Sequence, residues 1–221
     1  MTARKKRPMA ILMGDLVASG KAKSPAALHR KFNAGVAAIN KSHGDALLSP
    51  LTITLGDEFQ GVADSLSSAF MIMHEMRLRF LSQDVRCRFV LGYGEIATKL
   101  NPDKAWNMMG PGLTQTRAAL DDKREPGAYR FVLPGRAVFE AALDTFGYTM
   151  TEIESDWSDT QFSYVHFALT NRNKTNLEIA EKFGVSDRNV YKVLRAAKFK
   201  LYKKQVETIM MMLAHLDGET A

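Results

Sequence analysis

Residues 176–195, NLEIAEKFGVSDRNVYKVLR, constrain the chain most tightly. A small residue, a turn residue and an apolar series fall at the spacing two short helices need to cross closely, and basic residues fill the remaining face. Ala180 is small at the crossing, Gly184 supplies the turn, and Ile179, Phe183, Val185, Val190 and Val193 form the expected buried seam. Ser186 is placed to cap the second helix through its side-chain oxygen. Asp187 then falls in the first turn, where the helix dipole favours a negative charge. The second helix is expected over residues 187–198. With Val190, Val193, Leu194 and Ala197 facing inward, Arg188, Asn189, Tyr191, Lys192 and Arg195 are left to solvent or to a DNA major groove, where Arg and Asn read base edges. The plainer reading of the same residues is a helical hairpin with a solvated basic face.

Gly184-Val185-Ser186 at the turn resembles the helix-turn-helix of sigma-factor-like and regulator domains, a resemblance confined to this stretch. Charge points the same way. Residues 171–206 hold ten Lys or Arg against Glu178, Glu181 and Asp187, whereas residues 8–170 hold 16 basic and 18 acidic side chains. Such a local basic footprint suits a phosphate backbone, here double-stranded DNA, and predicts steep salt dependence. Arg4, Lys5, Lys6 and Arg7 add a basic arm over residues 1–8, read equally well as a phosphate grip or a solubilising tail.

Composition sets the outer limits. A chain of 221 residues, 46% apolar, buries a real core and suits one ordinary domain plus a small one. The apolar run at residues 9–13 is too short for a secretory signal and Asp15 interrupts it. No other segment approaches the roughly 18–20 apolar residues of a membrane span, so a cytoplasmic protein is expected. The single cysteine, Cys87, excludes an internal disulfide and gives no metal cluster; it reads as a small core residue.

Along the chain, residues 9–17 form a nearly continuous apolar run, the pattern of a central strand buried on both faces. Ser24-Pro25 opens a helix with the stripe Leu28, Phe32, Val36 and Ile39, expected to end near Lys41. Residues 51–55 and 59–63 read as strands around Gly56-Asp57-Glu58, followed by a helix marked by Leu66, Phe70, Met73, Arg77 and Phe80, and by a strand over 86–97. This βαββαβ order predicts an α+β, ferredoxin-like palm: an antiparallel sheet with two helices on one face. A Gly-Pro-Gly turn at 110–112, a helix at 113–121, strands at 129–133 and 148–153, a helix at 135–146 and a linker at 155–159 complete the reading. The palm thus spans 9–154, and an all-α helix-turn-helix domain with a long C-terminal helix spans 155–221.

Asp15 ends the first strand in LMGDLV, and Asp57 with Glu58 occupies the hairpin in TLGDEFQG. In this topology the carboxylates converge on one sheet edge, which resembles the arrangement palm-type nucleotidyl enzymes use to hold Mg²⁺ against a nucleoside triphosphate. The glycine before each aspartate would let phosphates approach. Read structurally, both are polar turn residues. Here the chain resembles the class III nucleotidyl cyclases and the GGDEF palms. Gly56-Asp57-Glu58-Phe59 matches the second half of that signature and Asp15 the first-strand metal ligand, which implies the Leu16 carbonyl as a further ligand. Leu55 replaces the first glycine of the signature, and GPGLTQTRAAL puts Thr114 near the family's Asn position and Arg117 one residue out of register with its Arg. The phosphate-loop near-match GDLVASGKA fails, because five residues separate its glycines and Ala22 replaces the hydroxyl residue. Lys21, Lys23 and Arg117 stand as candidate phosphate contacts.

Taken with the C-terminal module, the two Gly-Asp motifs resemble the SatD family over nearly the whole length. The reading that follows is a DNA-binding transcriptional regulator whose palm senses a Mg-nucleotide. Its alternative is an active nucleotidyl cyclase or nucleotidyltransferase using two metals, with the helix-turn-helix as a targeting module; a third is a palm that only makes protein contacts. Phe199, Tyr202, Val206, Ile209, Leu213 and Leu216 recur at heptad steps, which predicts either a homodimer seam through 199–216 or a face completing the small helical core. Met210-Met211-Met212 suits an adaptable buried face.

Overall fold

The computed structural model describes residues 8–21, 23–124, 127–171 and 173–219; the basic arm with Arg4–Arg7 lies outside them. The central strand β1 (Met9–Leu16) pairs antiparallel with both β3 (Glu58–Ala63) and β4 (Cys87–Gly94). β2 (Leu47–Ile53) pairs antiparallel with β3, and β5 (Tyr129–Val132) runs parallel to β4, giving the order β2-β3-β1-β4-β5. The strand β2 starts earlier than its alternation suggests, because Pro50 and two register shifts break the pattern. An edge position tolerates that proline.

Helices α1 (Pro25–Ser42) and α2 (Leu66–Leu81) are capped by the side chains of Ser24 and Ser65. They cover one sheet face, where Leu12, Phe32, Phe59, Phe70, Phe80 and Phe89 join the main core. The helix α3 (Pro111–Asp121) covers the opposite face over Ile11, Met13, Val62 and Val90. This second cover explains why β1 is apolar on both sides. The Cys87 side chain is buried, which raises its thiol pKa.

The strand expected at 148–153 is instead the end of α4 (Ala137–Ser155). Leu143, Gly147, Met150 and Ile153 recur at helical steps on its buried face. Gly147 permits close packing: a Cβ there would lie 2.7 Å from the Tyr129 carbonyl oxygen. Within 155–159, residues 156–158 form a short non-helical connection between α4 and the next helix. Asp156 closes α4, and Ser158 with Gln161 forms a capping box that opens α5 (Asp159–Thr170), an element without a counterpart in the sequence reading.

α5 packs with α6 (Asn176–Phe183) and α7 (Asp187–Ala196) around Tyr164, Val165, Ala168, Ile179, Val190 and Leu194. α8 (Phe199–Gly218) leaves that unit. Tyr202, Val206, Ile209, Leu213 and Leu216 lie in the main core, where α8 meets α2 and α4. Asp217 also caps α2, accepting from the Leu66 and Ser67 N–H groups at 2.8 and 3.0 Å and from Ser67 Oγ at 2.7 Å. The heptad face through 199–216 is therefore covered by the chain's own main core, which removes it as a dimer seam; of that face only Phe199 packs on the small core. Packing thus divides the segment 155–221 between two cores. Among the described residues no helix is long and apolar enough to cross a membrane.

Candidate functional site: a clasped acidic edge and an exposed basic helix

In the sheet register Asp15 stands opposite Glu58 on one side and Arg88 on the other. Directly opposed residues of antiparallel strands share a face, so all three point to the α3 side. Arg88 grips the buried Asp15 carboxylate in two places, through Nε at 3.1 Å and through Nη2. Arg117 of α3 pairs with Glu58 and donates to Gln60 Oε1 at 3.4 Å. Asp57 lies in the turn ahead of β3: its carboxylate accepts from Ser19 Oγ at 2.8 Å, and its carbonyl accepts the Leu16 N–H at 2.9 Å. Gly56 has φ +83°, the left-handed turn conformation that glycine adopts without strain. Gly14 is also required by packing. A Cβ there would lie 2.6 Å from the Phe59 ring and 2.9 Å from the Arg88 carbonyl.

Burial raises the Asp15 pKa and outweighs the opposing pull of Arg88; Lys123 also lowers it and Glu58 raises it. Arg88 is the functional residue that sequence reasoning missed. Its one signal was a charge on the inner face of an otherwise apolar strand, in register with Asp15. Arg88→Ala should cost about 2–3 kcal/mol at pH 7, since it strands a buried carboxylate. The folded-state pKa of Asp15 would then rise further above its unfolded value. A group raised in this way favours the fold below its unfolded pKa and loses that contribution as pH climbs through the folded one. Urea unfolding of Arg88→Ala should accordingly recover towards wild type as pH falls from 7 towards the ordinary carboxylate range, and a pH-independent loss would refute the assignment.

Magnesium demands near-octahedral oxygen coordination. As placed, Asp15 and Glu58 are each held by a guanidinium, and among the described residues no group of three or more His, Cys, Asp or Glu side chains is arranged for a metal. Asp15, Asp57 and Glu58, with or without the Leu16 carbonyl, therefore do not fit a resident Mg²⁺ unless two arginines leave. Of the candidate phosphate contacts, Arg117 is engaged by Glu58 and Gln60, and Lys23 is exposed. Lys21 ends the 3-10 turn Ser19–Lys21, and its side chain lies outside the described residues.

The second assembly is helical. Thr175 and Glu178 form a capping box at the start of α6, Gly184 closes it at φ +65°, and Ser186 caps α7 by accepting the Asn189 N–H at 3.2 Å. Arg188, Asn189, Tyr191, Lys192 and Arg195 are all exposed on α7, and Asn189 Oδ1 accepts from Tyr164 Oη at 3.4 Å. Val185, expected in the seam, is exposed instead; its place is taken by α5, whose Tyr164 stacks on Phe183 with ring centroids 4.4 Å apart. The helix α7 ends at Ala196, two residues early, because Lys198 turns left-handed at φ +55°. The end of α7 is tied to the end of α4: Trp157 Nε1 donates to the Ala197 carbonyl at 2.9 Å, and Lys198 pairs with Asp156 at 3.2 Å.

Two solved structures of a bacterial light-regulated adenylyl cyclase resemble the fold at 16% identity, with TM-scores of 0.43 and 0.42. They cover 57% and 59% of this chain and 75% and 44% of theirs. The guanylyl cyclase Cya2 matches at 17% identity and a TM-score of 0.38, over 51% of this chain and 68% of that one. No curated protein matches the chain. The sequence model of the SatD family matches residues 9–213, and the chain belongs to the SatD family.

Proposed function

We propose that this SatD-family chain is a DNA-binding transcriptional regulator, with α6 and α7 as its helix-turn-helix and α7 as the helix that enters the major groove. The observation that carries this reading is the face of α7. Arg188, Asn189, Tyr191, Lys192 and Arg195 stand together in solvent while Val190 and Leu194 anchor the same helix in a closed core. Arg188 and Asn189, near the helix start, are suited to base edges, and Lys192 and Arg195 to phosphates. The strand order β2-β3-β1-β4 supports reading the sheet as a ferredoxin-like palm, and in this proposal that domain is the ligand sensor. The catalytic alternative would need metals on carboxylates that Arg88 and Arg117 already hold, which favours the regulator.

Selection on random duplex DNA at near-physiological salt tests this reading. Wild type should enrich one motif, and Arg188→Ala/Lys192→Ala should lose about tenfold or more in affinity for it, about 1.4 kcal/mol. The salt dependence of the variant should be shallower by about one counterion per lost phosphate contact. Absence of any enriched motif would overturn the proposal.

A further inference from the structure

A groove of about 590 Å³ opens where β1 ends and β4 begins, within the size range of small-ligand sites. Its basic side chains come from three parts of the chain: Arg77 from α2, Arg86 and Arg88 from the start of β4, and Lys123 from the turn after α3. Two acids, Asp84 and Glu154, share the lining. Glu154 is saturated from within, accepting from Arg77 Nε at 2.7 Å, Tyr129 Oη at 2.6 Å and Tyr202 Oη at 2.7 Å. Arg88 has Asp15 behind it. Arg86 and Lys123 are exposed and bring positive charge to the mouth. Trp157 forms an aromatic wall, beside Val17 and Ala128. A planar aromatic group joined to a phosphate matches this combination of cations and indole.

Trp157 gives the groove a consequence at a distance. Its indole N–H holds the Ala197 carbonyl just beyond α7, and its ring meets Tyr202 of α8 edge-on at 4.9 Å. It also lines a second groove with Phe162, His166 and Phe183. The indole thus touches both the groove and the end of α7.

We infer that this groove binds a nucleotide without a metal, its phosphates on Arg86, Arg88 and Lys123 and its base against Trp157, and that occupancy shifts α7 through the Trp157–Ala197 hydrogen bond. The second half rests on α7 being the DNA-reading helix; the first does not. Ligand binding biases an equilibrium only through differential contact with its states, and in this proposal Trp157 supplies that contact.

The test uses the full chain. Trp106→Phe leaves Trp157 as the sole tryptophan. With a metal chelator present, ATP or GTP should quench its fluorescence saturably, whereas adenosine alone and inorganic phosphate alone at equal concentration should not. Arg86→Ala/Lys123→Ala, at exposed positions, should weaken the nucleotide by about tenfold or more with an unchanged melting curve. No saturable quench by either nucleotide, or a quench unaltered in the double variant, overturns the site; a quench that needs Mg²⁺ overturns metal-free binding. Trp157→Phe keeps a ring but removes the donor. By calorimetry it should retain nucleotide binding, and in DNA titrations it should lose the nucleotide-dependent change in affinity seen in wild type. If wild type binds nucleotide but DNA affinity never responds to it, the transmission is wrong and the site stands. If DNA is not bound at all, the function proposed above fails while the fluorescence result remains decisive for the groove.

Discussion

Glu154→Ala is expected to destabilise the protein by about 3–5 kcal/mol, because it leaves Arg77 charged and buried with no carboxylate beside it. Glu154 and Arg77 are both buried, at 4% and 7% exposure. Their bond is reinforced by two tyrosine hydroxyls that donate to the other carboxylate oxygen. Burial alone would lower the Arg77 pKa, but Glu154 more than offsets it; burial and then the Glu154 charge raise both Tyr129 and Tyr202. The network joins α2, α4, β5 and α8, so its loss should loosen the C-terminal helix together with the sheet. Urea unfolding should report the loss, with a fall in Tm of roughly 10 °C for a chain of this size. Arg77→Leu/Glu154→Leu should be less damaging than Glu154→Ala, since an apolar pair of similar volume needs no desolvated charge. A single variant that unfolds within about 1 kcal/mol of wild type would show that water reaches the pair.

How far the sequence could be read follows from what its patterns encode. The first strand, the Ser24 cap and the left-handed Gly184 were legible because each depends on residues close in sequence. Periodicity also marked the apolar face of 199–216 correctly. It did not say what covers that face, and the answer, α2 and α4, lies more than a hundred residues away in the case of Asp217 and Leu66. The same limit applies at the acidic edge. Asp15 and Glu58 do converge, as the topology predicts, but their arginine partners come from β4 and α3, and no local spacing links them. Small residues misled in a third way. Gly112 reads as part of a turn, whereas it is a point of close packing inside α3, as Gly147 is inside α4.

Gly94 and Gly112 extend that point to the second large effect expected. A Cβ on Gly112 would lie 2.6 Å from the Gly94 carbonyl carbon and 2.9 Å from Ile11 Cδ1, and a Cβ on Gly94 would fall on the Gly112 backbone. Backbone lies against backbone here, so no rotamer change relieves the clash; α3 must move off the sheet. Gly94→Val should therefore cost about 3 kcal/mol or more, at the upper end of overpacking penalties. Gly44→Ala is the control, since nothing lies within 4 Å of a Cβ there and its φ is not left-handed; it should change stability by no more than about 1 kcal/mol. Displacing α3 also withdraws Arg117 from Glu58. Gly94→Val should accordingly free a carboxylate at the sheet edge as well as lower the urea midpoint. The pairing between α3 and β4 would be refuted by Gly94→Val and Gly44→Ala unfolding at the same denaturant concentration. A lower midpoint for Gly94→Val alone would make that contact what holds α3, and with it Arg117, against the sheet edge.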